Sequence, residues 1–185
     1  MNRIGEIKMS VDKNSLNEVI DIIKSKEKNS GYAMLSTLRF EKNLLNYPYI
    51  SQVGFATTET GFPIFCFSKI SKHTRNLVNS EALGGIPKAS IQIRDWSDLE
   101  QLASQKRITL TGDIHKIGYD GISGQDEYWD ELITKSRELY LKNHPDAYWI
   151  DLPDFEFYRM DHIKEIYYIG GFEKATKISV KKYLE

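Results

Sequence analysis

The chain has 185 residues, of which 41% are hydrophobic and 28% are charged, so it can bury a core of its own and is not a disordered or collagen-like chain. Its 25 Lys and Arg residues are balanced by 26 Asp and Glu residues, and this near neutrality indicates neither a nucleic-acid surface nor a polybasic membrane anchor. We therefore expect no nucleic acid and no membrane among its partners.

The single cysteine, Cys66, excludes an internal disulfide and argues against a thiol metal site. The sequence contains no signal-peptide pattern and no apolar stretch of membrane-spanning length. No two histidines have the spacing of a metal site. These features predict a cytoplasmic protein without a metal.

The first elements predicted along the chain are a helix and three strands. Apolar residues recur at helical spacing after a serine that can cap a helix, which predicts a helix over about residues 15–28: Leu16, Val19, Ile20 and Ile23 follow Ser15. Alternating and apolar segments then predict strands over residues 31–40, 49–57 and 62–68, with a hairpin turn between the last two. Consecutive strands with short links favour an antiparallel sheet.

The second half of the chain continues this pattern. A short helix is predicted over residues 72–80, a strand over 87–95, and a further strand over 106–117, where Ile108 and Leu110 alternate with polar residues. A long helix over residues 125–142 is ended by His144 and Pro145. Two last strands, "DFEFYRMD" and "IKEIYYIGGF", are predicted with His162 at the turn between them.

These elements predict a mainly β protein with flanking helices, of the α+β class. Six or seven strands in a chain of this size favour a small closed or nearly closed antiparallel barrel, which leaves few exposed sheet edges. We find no internal repeat, low-complexity segment or linker, so we expect one domain over residues 1–185, with the barrel at about residues 31–178.

The stretch "FSKISKHTRNLVNS", residues 67–80, places Lys72, His73, Thr74 and Arg75 in the first turn of a helix that Ser71 can cap. Cations at this end oppose the helix dipole, at a cost of about 0.3 to 1 kcal/mol each. A bound phosphate would reverse that sign, because it accepts hydrogen bonds from free backbone N–H groups and from hydroxyls. The alternative is that the cations are simply solvated and the serines only cap and turn.

Residues 47–77, "YPYISQVGFATTETGFPIFCFSKISKHTRNL", resemble the FMN-binding split-barrel superfamily, which is the pyridoxamine 5′-phosphate oxidase-like superfamily. The resemblance lies in a hairpin followed by a Ser-x-x-Ser-x-His-Thr-x-Asn helix start, here Ser68, Ser71, His73, Thr74 and Asn76. It continues through "KRITLTGDI", "LYLKNHPDA", "DFEFYRMD" and "IGGFEKATKI", and so covers most of residues 32–178.

The resemblance implies a Greek-key split barrel that forms a homodimer, with FMN sites at the subunit interface and the phosphate at the helix start. It implies that the cofactor contacts are Ser68, Ser71, His73, Thr74 and Asn76, with Lys72 or Arg75 in support, and with Arg107, Ser51 and Gln52 as further candidates. The expected function is that of an FMN-dependent oxidoreductase acting on an unidentified small molecule. No residue is identified as its acid or base.

Two alternatives remain open. The pieces "HTRNL", "KR-T" and "GGF-KA" are most similar to the branch of the superfamily that contains the split-barrel haem-utilisation proteins. Haem-degrading members of that branch carry a histidine ligand near or beyond the end of the barrel, and the nearest histidine here is His162. A haem-binding or haem-degrading protein is therefore the first alternative, and a non-catalytic, flavin-binding regulatory dimer is the second.

Overall fold

Antiparallel strands form one sheet in the computed structural model, which describes residues 13–97, 104–118, 126–172 and 174–185. The strands are β1 (Tyr32–Leu38), β2 (Pro48–Gly54), β3 (Ala56–Thr57), β4 (Pro63–Ser68), β5 (Lys88–Arg94), β6 (Arg107–Lys116), β7 (Phe155–Ile169) and β8 (Ala175–Ile178). Their order is β2-β1-β5-β6-β7-β4-β3, and β8 also pairs with β7.

Helices flank this sheet. They are α1 (Lys13–Lys24), α2 (Lys26–Asn29), α3 (Lys72–Ala82), α4 (Asp126–Asn143) and α5 (Val180–Leu184), with a 3-10 turn at Tyr148–Asp151. The predicted boundaries of β1, β4, α3, β5, β6 and α4 are confirmed to within two residues. None of the helices in the described parts of the chain has the length and apolar composition that a membrane crossing requires.

The sheet curls into a barrel because its two ends are adjacent in the chain. The strand order begins with β2 and ends with β3, and only Phe55 separates them. Strand β2 pairs with β1 alone and β4 pairs with β3 and β7, so the described ladders leave a seam between β2 and β4. The predicted α+β split barrel is confirmed, while the strand predicted over residues 49–57 is divided in two at Phe55.

The two strands predicted for residues 154–161 and 163–172 are a single strand, β7, and His162 lies within it rather than at a turn. In the ladder with β6, Asp161 and Lys164 are each left without a partner, which makes two β-bulges on either side of His162. Asp161, His162 and Lys164 are polar residues of the kind common in turns, which is why the sequence predicts a turn here. The bulges bend β7 so that its first half pairs with β4 and its last residues pair with β8.

The interior of the barrel is closed by α1. Val19, Ile22 and Ile23 of this helix are buried against barrel residues such as Leu35 and Ile91. The predicted single helix breaks after Lys24, and the buried Asn29 side chain donates hydrogen bonds to the carbonyls of Ile22 and Ile23, both at 2.9 Å. Its side-chain oxygen accepts a hydrogen bond of 2.7 Å from the Gly31 N–H, so one buried amide joins the end of α1 to the start of β1.

A second core lies outside the barrel, where α4 covers β3, β4 and the start of β7. Its buried members are Ala56, Ile64, Cys66, Ile117, Tyr140, Ala147, Ile150 and Phe157. The outer faces of β2, β1, β5 and β6 have no such cover among the described residues, and Tyr32, Met34 and Ile50 are exposed there. We call this surface the open face.

Replacing Gly112 by Ala is expected to lower the free energy of unfolding by at least about 3 kcal/mol, because a Cβ there would lie 2.3 Å from the His162 carbonyl oxygen at the bulge. Urea denaturation measures the change. Gly84→Ala is the control, since it has open space and suffers only the strain of its φ of +71°, about 1 to 2 kcal/mol. Equal losses in the two variants would contradict the close approach at Gly112.

Candidate cofactor site

The site begins where β4 ends at Ser68 and the chain turns into α3. The Ser68 hydroxyl donates to Asp154 Oδ2 at 2.6 Å, which joins this turn to the residues before β7. The Ser71 hydroxyl donates to the Ser68 carbonyl at 2.8 Å. These bonds hold the four-residue turn in one conformation, so the start of α3 has a defined position at the seam of the barrel.

Ser71, His73 and Thr74 meet Ser51 of strand β2 at this point. Ser71 Oγ lies 2.9 Å from His73 Nε2 and 2.7 Å from Thr74 Oγ1, and Ser51 Oγ lies 3.1 Å from His73 Nδ1. Because the single Ser71 hydroxyl proton goes to the Ser68 carbonyl, Ser71 Oγ accepts from His73 and Thr74. His73 is then protonated on Nε2, and its Nδ1 accepts from Ser51. The imidazole therefore bridges the seam between β2 and α3.

The His73 ring is uncharged near neutral pH. It packs on Phe67 with ring centroids 4.5 Å apart, and its burial lowers its pKa to about 4. The ring therefore offers one donor and one acceptor rather than a positive charge. It positions the two serine hydroxyls on either side of it.

Ser71 occupies the N-cap position of α3, but its side chain makes no capping hydrogen bond, contrary to the capping role expected from the sequence. The hydroxyl is turned toward His73, Thr74 and the Ser68 carbonyl instead. The N–H groups in the first turn of a helix have no partner within the helix. The serine therefore leaves these donors for another acceptor.

The two cations of the first turn already have partners. Lys72 forms an ion pair with Glu41 of the β1–β2 loop. Arg75 curls back and donates to the Ile70 carbonyl from Nε at 3.0 Å and from Nη2 at 2.6 Å. Their partial exposure keeps these contacts weak, because exposed ion pairs contribute about 0 to 1 kcal/mol. Neither cation is simply solvated.

Three predicted residues lie away from this cluster. Asn76 is buried and donates to Thr37 Oγ1 of β1 at 2.9 Å, so it anchors α3 to the barrel. Gln52 alternates with Ser51 and is exposed on the open face. Arg107 lies on β6, five residues before Gly112. Gly112 pairs with Ala89, which in turn pairs with Thr37 near α3, so Arg107 is roughly 17 Å along the strand from that point. Within one chain, then, Ser51, Ser68, Ser71, His73 and Thr74 come together.

Glu41, Phe67 and Asp154 are parts of the site that sequence reasoning missed. Each acts on a predicted residue: Glu41 on Lys72, Phe67 on His73 and Asp154 on Ser68. Asp154 is the first residue of the "DFEFYRMD" segment, but no local sequence pattern relates it to Ser68, which lies 86 positions earlier. The described histidine, cysteine and carboxylate side chains form no group of three or more that could hold a metal ion.

An antiparallel split barrel with a Ser, His and Thr cluster at its seam places the protein in the pyridoxamine 5′-phosphate oxidase-like class of split barrels. A comparison with protein families matches residues 24–185 to the family described as CREG, beta-barrel. This match extends over most of the chain, so the protein belongs to the CREG beta-barrel family.

Relatives and solved structures agree with this assignment. The chain is 35% identical over 143 residues to the non-canonical haem oxygenase HOZ, chloroplastic, of Arabidopsis thaliana, which covers 77% of this chain and 37% of the plant protein. A haem-binding protein from Mycobacterium smegmatis has a TM-score of 0.72 at 24% identity, over 94% of this chain and 61% of that one. The chain therefore spans little more than a third of the plant protein and about three fifths of the mycobacterial one.

A third similar structure is a pyridoxamine 5′-phosphate oxidase-related, FMN-binding protein from Nostoc punctiforme. It has a TM-score of 0.53 at 14% identity, over 86% of each chain. At these identities the two structures show the fold. The fold is therefore shared by a protein described as haem-binding and by one described as FMN-binding.

Replacing His73 by Gln is expected to flatten the dependence of stability on pH between 7 and 4. The folded pKa of His73, about 4, lies below the ordinary value of about 6.5, so the folded state binds this proton less readily than the unfolded state. Its contribution is complete above pH 6.5 and is lost as the pH falls toward 4, on the order of 3 kcal/mol. Urea denaturation at several pH values measures it.

The exposed His162 supplies the matched control, since His162→Gln also removes one histidine. An NMR titration of the His73 ring gives a second, independent measurement. A ring that takes up its proton near pH 6.5 would show that burial does not hold His73 neutral.

Proposed function

We propose that this protein binds FMN as a homodimer and acts as a flavin-dependent oxidoreductase on a small molecule. The observation that carries the proposal is the start of α3, where Ser71 holds the N-cap position without capping the helix. An eleven-residue helix directs its positive end and its free N–H groups toward that point, which is the arrangement that binds a phosphate.

The side chains around the helix start support a phosphate site. Thr74 and Ser68 bring hydroxyl groups close to the first turn, and the neutral His73 adds no charge of its own. Lys72 and Arg75 lie in the same turn, and their present partners are exposed groups that are exchanged at little cost. A phosphate would therefore be held by the N–H groups of the first turn, with the two cations in support.

FMN, when bound, supplies two-electron redox chemistry at its ring system. The residues of this chain bind and orient it. Ser51, which His73 holds at the seam, places a hydroxyl on the β2 side of the site. Among the described residues at the seam, none is assigned as an acid or base, and hydride transfer requires none.

A homodimer is supported by the open face. Tyr32, Met34 and Ile50 expose 44%, 39% and 61% of their surface there. Between them, Ser36 and Ser90 pair across β1 and β5 and keep the face shallow. A broad, apolar and shallow sheet face is the kind of surface that self-associating proteins bury.

The dimer would also bring the remaining predicted residues to the site. Strand β2 presents Ser51 to the seam while Ile50 and Gln52 face outward, so the seam lies directly beside the open face. Arg107 lies on the outer side of β6, on the same face as Thr109 and Thr111. In a two-fold arrangement, Arg107 and Gln52 of one subunit would contact the cofactor held by the other.

Haem is the second candidate cofactor, and it is favoured by the 35% identity to a plant haem oxygenase. His162 is the residue of this chain that best fits an iron ligand, because its side chain is 63% exposed at a bulge of β7. Its Nδ1 lies 3.7 Å from the Asp113 carboxylate. A carboxylate beside one ring nitrogen is a common support for a histidine that ligates metal through the other.

Replacing Lys72 or Arg75 by Ala is expected to weaken FMN binding by about 1.5 to 3 kcal/mol, because a charge-assisted hydrogen bond to the phosphate is lost. Riboflavin lacks the phosphate, so its weaker binding should be the same in variant and wild type. Without ligand, the stability should change by no more than about 0.5 kcal/mol, since both cations are partly exposed. Titrations of both flavins into both proteins measure the coupling.

Equal loss of FMN and riboflavin, or loss of neither, would remove the phosphate site from the start of α3. The absorption spectrum of the same samples separates the cofactors. Flavin bands are expected after FMN addition. The second candidate would be established instead by a protein that binds no flavin and forms a tight haem complex with a Soret band, provided that His162→Ala loses this band.

Replacing Ile50 by Arg is expected to convert the dimer into a monomer, because a buried, unpaired charge at the centre of an apolar interface costs several kcal/mol. Sedimentation velocity at micromolar concentration measures the change. Tyr148→Arg, at a residue that is 77% exposed and lies outside the open face, is the control and should remain dimeric. A wild-type protein that sediments as a monomer would refute the assembly.

A further inference from the structure

A cavity of about 510 Å³ lies between α3 and the ends of β4, β6 and β7. Val78 and Ala82 of α3 form one wall, Tyr158 of β7 lies opposite, and Lys69, Lys116 and Glu156 stand together at one side. The volume is within the usual range for pockets that enclose a small molecule, about 300 to 1,000 Å³. Thr74 and Arg75 of the first turn of α3 also line it, whereas Ser51, Ser71 and His73 do not.

The charges around the cavity sum to one positive charge. Lys69, Arg75 and Lys116 are cations, and Glu81 and Glu156 are carboxylates. The cavity therefore favours a ligand with a single negative charge.

The positive charge is concentrated where two ammonium groups share one carboxylate. Lys116 Nζ lies 2.6 Å from Glu156 Oε1, and Lys69 Nζ lies 3.2 Å from the same oxygen. Burial of Glu156 opposes its ionisation, but the hydrogen bonds from Lys116 and Lys69 outweigh the burial and lower its pKa. One carboxylate thus neutralises one of two ammonium charges. Lys69 also donates to the Pro153 carbonyl at 3.2 Å, so it keeps one N–H for a further acceptor, and Lys116 keeps two.

Val78, Ala82 and Tyr158 form the apolar part of the lining. Tyr158 is only 2% exposed, and its ring forms a fixed floor. Val78 lies across from it and is 44% exposed, although most residues of its type are buried. An apolar body on this floor would cover the exposed surface of Val78, which is favourable.

We propose that this cavity binds a monocarboxylate with an apolar body, whose carboxylate lies at Lys69 and Lys116 and whose body lies between Val78 and Tyr158. The charge balance explains the preference for a carboxylate, since a dianionic phosphate would leave one negative charge without a partner. The carboxylate and apolar contacts proposed here use Lys69, Lys116, Val78 and Tyr158, none of which belongs to the proposed cofactor site, although Thr74 and Arg75 lie beside both. The cavity provides a place for a second, smaller ligand in the same chain.

Octanoate is the probe, titrated into the wild-type protein by calorimetry at physiological salt, with octanol as the uncharged equivalent. Octanoate is expected to bind at least tenfold more tightly than octanol. Hexanoate should bind more weakly than octanoate by about fourfold for each methylene removed, because each methylene loses its burial. Backbone NMR shifts on octanoate addition should centre on Val78, Lys116 and Tyr158.

Val78→Glu is the decisive variant, since it adds a negative charge to the cavity wall at an exposed helix position. It should weaken octanoate at least tenfold. Leu83→Glu adds the same charge at a residue that is 76% exposed and does not line the cavity, and it should change the affinity by less than twofold. No octanoate binding at millimolar concentration, equal affinity for octanol, or equal effects of the two variants would overturn the proposal.

Discussion

The fold depends on one corner, where Phe55 joins the two ends of the sheet. The N–H of this buried residue donates to the Gly31 carbonyl at 2.9 Å, and its own carbonyl accepts from His144 Nε2 at 3.0 Å. Tyr140 and His144 fill the space beside it. A Cβ on Gly31 would lie 2.8 Å from the His144 ring, and a Cβ on Gly54 would lie 2.6 Å from the Tyr140 hydroxyl. The residues at the end of α4 therefore stabilise the turn at Phe55, which closes the sheet into a barrel.

This corner also determines what β2 can do. Ser51 precedes Gly54 by three residues, and the alternation of the strand directs it toward His73 while Ile50 points to the open face. β2 pairs with β1 alone, and its free edge is bridged to α3 through Ser51 and His73, so this edge strand contributes to two surfaces. The site and the open face are thus two sides of one strand, and the chemistry of the site rests on neutral donors rather than on free cations.

The candidate site was only partly predictable. Ser71, His73 and Thr74 are close in the chain, so a local motif was enough to place them together at a helix start. The direction of the Ser71 hydroxyl was not, because it depends on the carbonyl and imidazole that surround it once α3 packs on the barrel. Asn76 has a motif position like the others, but the buried Thr37 hydroxyl draws its side chain to a structural contact.

The sequence by itself determined where most of the helices and strands lie, since burial on one side of a strand or helix leaves a period of two or of 3.6 in the residues, as at Ile108 and Leu110. Only the tertiary structure decided how those elements meet. His162 lies in a strand and not in a turn because its neighbours bulge against β6, and Ser51 reaches His73 because Phe55 turns the chain. Such contacts depend on the register between strands that are distant in the sequence, and the periodicity of residues within one segment does not predict that register.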